Sequence, residues 1–438
     1  MTPTLFDATT DAITTNINSL WLLVAAALVL LMTPGVAFFY GGMVRAKSVI
    51  SMMMMSFGAI ALVAVLWVLY GFSMAFPDST GGSWAVKGLI GNPFSNAGLI
   101  PLLTHGGAGA ENNLNTLAFA GFQATFAIIT VALISGAIAD RARFGTWMVF
   151  AALWVTVVYF PVACWVFNFT LGAKGLTDGG WIVYGLGVND FAGGTAVHIN
   201  AGAAGLALAI VLGKRVGFAK GMSKPHNVPL TLLGASLLWF GWFGFNAGSE
   251  AAVDGVAALA WINTLAAPAA ATIGWLVVEK FKDGKATSIG AASGAVAGLV
   301  AITPACNILT PFWGMVLGVI TGAVCALAVD LKWRLGFDDS LDVVGIHFVG
   351  GWIGTLYIGI FGSGIGLLDT GSLKQLGAQA LGALAVSVYS FVLAFLIGWG
   401  LEKTMGFRVK NEEEVAGVDL AVHGEGGYLL EEREDVRV

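Results

Sequence analysis

Asp190-Phe-Ala-Gly-Gly-Thr-Ala-Val-His198-Ile-Asn-Ala-Gly202-Ala-Ala-Gly205 puts one histidine inside a long apolar run that ends at Lys214 and Arg215. An ionisable side chain within an apolar spanning segment is costly to bury, so by default it marks a functional site. The pattern returns. Asp339 precedes His347 by the same offset, and Gly351 and Gly354 follow where Gly202 and Gly205 did, so both copies read D-x7-H-x3-G-x2-G. The reading is a membrane pore of two related halves, each contributing one buried histidine.

The whole chain fits that class. Of 438 residues, 57% are hydrophobic and 11% charged, where a soluble protein carries about 25% charged residues. Apolar runs of about twenty residues recur, as in a polytopic helical membrane protein. Cys164, Cys306 and Cys325 show no paired spacing and read as reduced packing residues. Residues 1–19 lack Lys and Arg, so the first apolar run, from Leu20, reads as a spanning helix and not as a cleaved signal.

Eleven spans are expected, at 20–41, 49–76, 117–139, 147–168, 193–213, 228–247, 257–278, 289–305, 312–330, 343–366 and 376–400. With the N-terminus outside, all but three of the 21 Lys and Arg residues fall on the inner side; the exceptions are Lys87, Lys174 and Lys374. That asymmetry supports an odd span count and a cytoplasmic C-terminus; the membrane expected is the inner one. Pro34, Pro161 and Pro304 predict kinks or helix ends. Five spans separate the two motifs, so spans 1–5 and 6–10 enter from opposite sides as an inverted repeat. Each histidine lies eight residues, about 12 Å, from its aspartate. Two such rises inside a hydrocarbon core ~30 Å thick leave roughly 6 Å between the imidazoles, so contact is possible.

His198 and His347 are the first candidates. As core histidines they would only join helices. As a functional pair, neutral or sharing one proton, they can exchange hydrogen bonds with a small polar molecule or relay a proton. No metal is expected at such a pair. A haem fits no better, because His105, His226 and His423 fall in loops or the tail. Aromatic residues form the second set. Phe122 and Phe126 open span 3, Trp165 and Phe167 end span 4, and Trp239 to Ser249 close span 6. All lie near the outer side. Two readings stand: an interfacial belt, or a cation–π cage with Ser249 that holds a small cation. Asp190, Asp339 and Asp342 read as helix caps with an indirect electrostatic effect. The outer loops, 77–115 and 169–191, are polar and glycine-rich and suit a vestibule. Residues 1–400 form the membrane domain. The charged tail, 401–438, has the composition of a solvated segment.

Several stretches together resemble the ammonium transporter (Amt/Mep/Rh) family. They are Asp190 to His198, Phe38-Phe-Tyr-Gly-Gly-Met-Val-Arg45, Trp239 to Ser249, and Asp338-Asp-Ser-Leu-Asp342-Val-Val-Gly-Ile-His347. The tail, Gly406-Phe-Arg408-Val with Glu414, Gly417, Asp419, His423, Glu425 and Tyr428, is similar to the bacterial and archaeal Amt branch. The resemblance implies a homotrimer with one pore per subunit and no cofactor. It implies an outer site at Trp242, Phe245 and Ser249, with Phe122, Phe126 and Phe245 as gate and His198 and His347 as the twin-histidine motif. The family usually has Trp where this chain has Phe167, with Trp165 two residues earlier. The implied cargo is ammonium or ammonia, with methylammonium as an analogue. A PII-type regulator on the cytoplasmic face is an implied partner; nucleic acid is not. The rival readings are an ammonium sensor acting through the tail and a neutral-gas channel for ammonia or carbon dioxide. An enzyme is disfavoured, since no nucleophile–base set stands out.

Overall fold

The computed structural model describes residues 5–77, 82–104, 114–172, 175–221 and 224–428. Ten of its helices are long and apolar enough to cross a membrane, and a shorter one brings the set to eleven. They are α1 Leu5–Met43, α2 Ala46–Ala75, α3 Leu114–Ile134, α4 Phe144–Phe167, α5 Gly194–Leu212 and α6 Val228–Ala247, then α7 Gly255–Asp283, α8 Ser288–Ile302, α9 Pro311–Ala328, α10 Val344–Phe361 and α11 Lys374–Thr404. The chain is thus an all-α polytopic membrane protein. The expected spans match these within a few residues except at α1, which is helical well before Leu20. Once a turn exists, each further residue adds a hydrogen bond, so helix propagates beyond the apolar run.

Helices α1–α5 and α6–α10 are inverted repeats. The relation is plainest where α5 meets α10. A Cβ at Gly202 would lie 2.6 Å from the Phe348 backbone nitrogen. One at Gly351 would lie 2.9 Å from Ile199 Cγ1 and 3.0 Å from Gly194 O. Each glycine stands four residues after its histidine, and each faces the residue following the other histidine. The contact is therefore reciprocal, and only glycine permits it at both places.

Both helices open irregularly. Gly194–Ile199 and Val344–Phe348 are π-type turns, and the His198 N–H donates to Gly193 O, five residues back, at 3.1 Å. Such wide turns recur at functional sites. Helix α8 has 15 residues, about 22 Å, and stops short of a full crossing. Pro304 stands just past its end, as its position predicted. The segment that follows is buried, with Thr303, Ala305, Cys306 and Leu309 excluded from solvent. Non-helical backbone at membrane depth persists only where protein satisfies it. Here the Asn263 amide donates to Cys306 O and Leu309 O, both at 2.8 Å, and Asn189 donates to Pro304 O. Pro34 lies inside α1, and Pro161 follows the π-type turn Val155–Tyr159 of α4. All three cysteines are buried, and none forms a disulfide.

One face of the bundle carries two small antiparallel hairpins: β1 Trp84–Val86 with β2 Ile90–Gly91, and β3 Phe169–Gly172 with β4 Gly175–Gly179. The other face carries the tail. The expectation of a solvated tail is corrected for its described part, which docks. Val409 N–H donates to Arg141 O and Arg143 N–H to Phe407 O. Glu414 pairs with Arg408 at 2.8 Å and accepts from the Val216 N–H at 2.6 Å. Asp419 accepts from Ser51 N–H at 2.7 Å and Ile50 N–H at 3.1 Å, at the start of α2. Carboxylates bound to backbone N–H groups look in the sequence like any other charge run. Residues 429–438, with Glu431 and Glu432, lie outside the described part, as do His105 and Lys174.

Candidate functional site: a histidine-lined lumen

The two histidines meet. His347 Nδ1 lies 3.3 Å from His198 Nδ1, and the rings are nearly parallel, with centroids 5.3 Å apart and planes at 23°. Both residues are buried, and His198 Nε2 has no protein partner. Backbone caps fix the two rings. Asp190 Oδ1 accepts from the N–H groups of Gly193 and Gly194, and Oδ2 from those of Thr195 and Ala196, at 2.7–3.1 Å. Asp339 does the same for Val343 and Val344 at 3.1 and 2.7 Å. A carboxylate suits these free N–H groups because it brings two oxygens and a charge complementary to the helix start. Asp342 pairs with Lys332 at 2.5 Å, and Lys332 also donates to Asp339 O at 3.2 Å. These three aspartates are therefore engaged as caps and ion-pair partners.

The pair lines a narrow lumen with Trp242, Phe245, Leu238, Val296 and several residues of α1. About 10 Å³ is open to the centre of a water-sized molecule, which is room for about one. Two rings close its end towards the hairpin face. Phe126 and Phe245 stack with centroids 4.1 Å apart, and Phe122 packs on Phe126 at 4.8 Å. Trp242 lies on the other side of this closure. Its ring is 5.4 Å from that of His198, and its Nε1 donates to Thr303 Oγ1 at 2.8 Å. The expected place of Trp242 in the outer cage is thus corrected. Trp242, Phe245 and Ser249 lie along one helix face, and seven residues rise about 10 Å, so the first and last fall on opposite sides of the middle ring.

Above the closure lies a second cavity, of about 220 Å³, lined by Phe167, Phe169, Phe119, Leu22, Asn115, Thr116 and Ala251. Phe167 meets Phe126 edge-on at 6.2 Å. Ser249 lies in the short turn just past α6 on this side, and its hydroxyl donates to Phe245 O at 2.8 Å, leaving its oxygen free to accept. Trp165 does not join the cavity, which corrects its inclusion in the outer site. It packs on Tyr389 and Trp181, and its Nε1 donates to Leu89 O at 2.8 Å. Two residues turn a helix by about 200°, so Trp165 and Phe167 face opposite ways.

This arrangement coincides with one family along nearly the whole chain. The sequence model described as Ammonium Transporter Family matches residues 20–428. The chain belongs to the ammonium transporter family. It is 51% identical over 436 residues to the ammonium transporter of Mycobacterium tuberculosis strain H37Rv, covering 94% of this chain and 90% of that one. Among solved structures it is similar to one titled Sensor Amt Protein, with TM-score 0.85, 33% identity, and coverage of 94% and 99%. It is also similar to Saccharomyces cerevisiae Mep2, with TM-score 0.80, 36% identity, and coverage of 90% and 88%. The protein is a multi-pass membrane transporter of ammonium or ammonia.

Three features of the transporter's site escaped the sequence reading. Tyr40 lines the lumen, and its hydroxyl donates to Leu133 O at 3.1 Å; its run contributed to the resemblance without suggesting a site role. Thr303 holds Trp242 from a segment read as helix, and only the adjoining Pro304 hints at the break. On the tail face, Arg215 bridges Asp140 at 3.1 Å and Asp338 at 2.8 Å. Burial works against the Asp338 carboxylate, but Arg215 and Arg141 hold it below the usual carboxylate range. Burial brings Arg141 itself down to about 10. The described loop and tail histidines take structural partners. His226 bonds Val44 O and the Tyr428 hydroxyl, both at 2.8 Å, and His423 packs on Phe144.

Proposed function

We propose that the transporter collects ammonium in the hairpin-face cavity, strips one proton at the Phe126–Phe245 closure, and conducts ammonia past His198 and His347. The observation that carries this reading is the direct imidazole contact inside a lumen wide enough for about one small molecule. One neutral ring donates Nδ1–H to the other's Nδ1. The donor ring then keeps a lone pair on Nε2 and the acceptor ring keeps Nε2–H. Together they offer one acceptor and one donor, which suits ammonia. An ion that must stay charged, such as potassium, meets an apolar passage with no compensating ligand. On deprotonation the N–H electron pair stays on nitrogen. The proton either follows through the imidazoles, giving a current, or returns outside.

Phe126, Phe245 and Phe122 act as the gate, and Phe167 and Ser249 belong to the recruitment site. The distribution of Lys and Arg supports a cytoplasmic tail face and an outward hairpin face and N-terminus, and the resemblance supports residence in the cytoplasmic membrane. Residues 1–400 would form the transport domain and 401–438 a regulatory tail. Resemblance supports a homotrimer and a PII-type protein as regulator. Transport is favoured over a sensor role because the 51% identical relative is named a transporter; no enzymatic step is assigned. Currents in reconstituted membranes with ammonium, methylammonium and potassium test the reading. Ammonium current or flux with potassium rejected supports it; potassium conduction overturns it.

A further inference from the structure

The outer cavity has a wall that the twin-histidine and gate residues do not explain. Phe169, the first residue of β3, lines it beside Phe119 and Phe167. Phe169 is 46% exposed, where Phe167 is 6% exposed. A ring half in solvent does little for the core, yet its backbone is held firmly. Phe169 pairs with Gly179, whose φ is +149°. A Cβ at Gly179 would come within 2.9 Å of Phe169 Cα, so the two strands close tightly only with glycine there. Next to it the Gly180 N–H donates to Asn168 O at 2.7 Å, and Asn168 is fully buried. The hairpin root is thus clamped to the end of α4, which fixes one aromatic ring at the mouth of the cavity.

We propose that Phe169 is an affinity-determining residue of the recruitment site, its ring forming the outermost wall against which ammonium or methylammonium rests. This rests on the transport reading. The aromatic faces of Phe167 and Phe169 attract a cation before its proton is lost. Asn115 and Thr116, also in the lining, carry oxygens that accept from its N–H groups. The wall acts on the bound cation and not on ammonia in the lumen, so it sets the concentration at which transport saturates and leaves the maximal rate alone.

The test is uptake of labelled methylammonium by the full chain in proteoliposomes, over a range of concentrations. Phe169→Ala should raise the half-saturation concentration about two- to five-fold with maximal flux unchanged. Phe169→Leu keeps apolar bulk without a π face and should behave as the alanine variant does. Phe169→Trp should match or undercut the wild-type value. An unchanged half-saturation in the alanine variant, or a leucine variant equal to wild type, overturns the proposal while transport stands. A wild-type protein that carries no methylammonium or ammonium overturns the transport reading and this one with it.

Discussion

His347 Nδ1 stands 3.3 Å from His198 Nδ1, although the two residues are 149 positions apart in the chain. The inverted repeat makes this possible by starting α5 and α10 from opposite faces, each on an aspartate cap. A neutral pair of this kind admits one shared proton between the two Nδ1 atoms, so the tautomers are linked. What one ring donates, the other must accept.

The caps should therefore matter through His198 and His347. Asp190→Asn leaves one carbonyl oxygen where two carboxylate oxygens serve four N–H groups. The expected loss is about 1–3 kcal/mol of stability, with transport reduced at all ammonium concentrations. Thermal unfolding in detergent and flux measurements check this. A change in half-saturation alone, with stability intact, would make Asp190 a cation attractor instead.

Trp242 depends on one hydroxyl. Thr303→Val keeps the shape but removes the acceptor for the Trp242 Nε1–H bond of 2.8 Å. A buried indole N–H without a partner costs about 1–3 kcal/mol. Lower thermal stability, together with altered Trp fluorescence and flux, is expected. Thr303→Ser should recover most of all three.

The two aromatic residues at the end of α4 should part company. Phe167→Trp enlarges the π face beside the outer cavity and should lower half-saturation about two- to five-fold. Trp165→Phe should leave half-saturation unchanged, because that ring packs on Tyr389 and Trp181. Methylammonium uptake curves for both variants decide.

The Asp338 cluster predicts an acid limit. A carboxyl held below its usual range contributes stability above its unfolded value of about 3.9, and that contribution is lost as pH falls through the folded value. The Asp338 contribution to thermal stability should thus hold between pH 7 and 5 and fall below about 4. Asp338→Asn leaves Arg215 and Arg141 without this charge. It should cost about 3 kcal/mol at pH 7 and flatten the acid dependence. Melting curves in detergent across that pH range check both.

The sequence disclosed what is periodic or repeated. The limits expected for α6, 228–247, match the observed helix, because a long apolar run between polar loops has one solution in a membrane. Two equal offsets and an odd number of spans made the histidine contact possible, and the 3.3 Å approach realises it. Side-chain direction was less legible. Trp242 and Phe245 lie three residues apart, and whether one ring stands above or below a closure depends on where Phe126 arrives from α3. The break after α8 was half visible at Pro304, but Asn263 and Asn189, which make it tolerable, have no local signal. Docking of the tail through Glu414 and Asp419 depends on N–H groups of a distant loop and of the start of α2, which composition does not reveal.

In the proposed mechanism, paired imidazoles in a narrow lumen let a solute through only after it sheds its charge. The most direct measurement is the current, with parallel ammonia flux, of His198→Ala and wild-type protein in reconstituted membranes, first with ammonium and then with potassium. The account predicts potassium rejection by wild type, and an ammonium flux or ammonium-to-potassium ratio changed by about tenfold, the factor for one buried hydrogen bond of ordinary strength, in a variant that still assembles. Unchanged ammonium transport with unchanged potassium rejection in the assembled variant would contradict it.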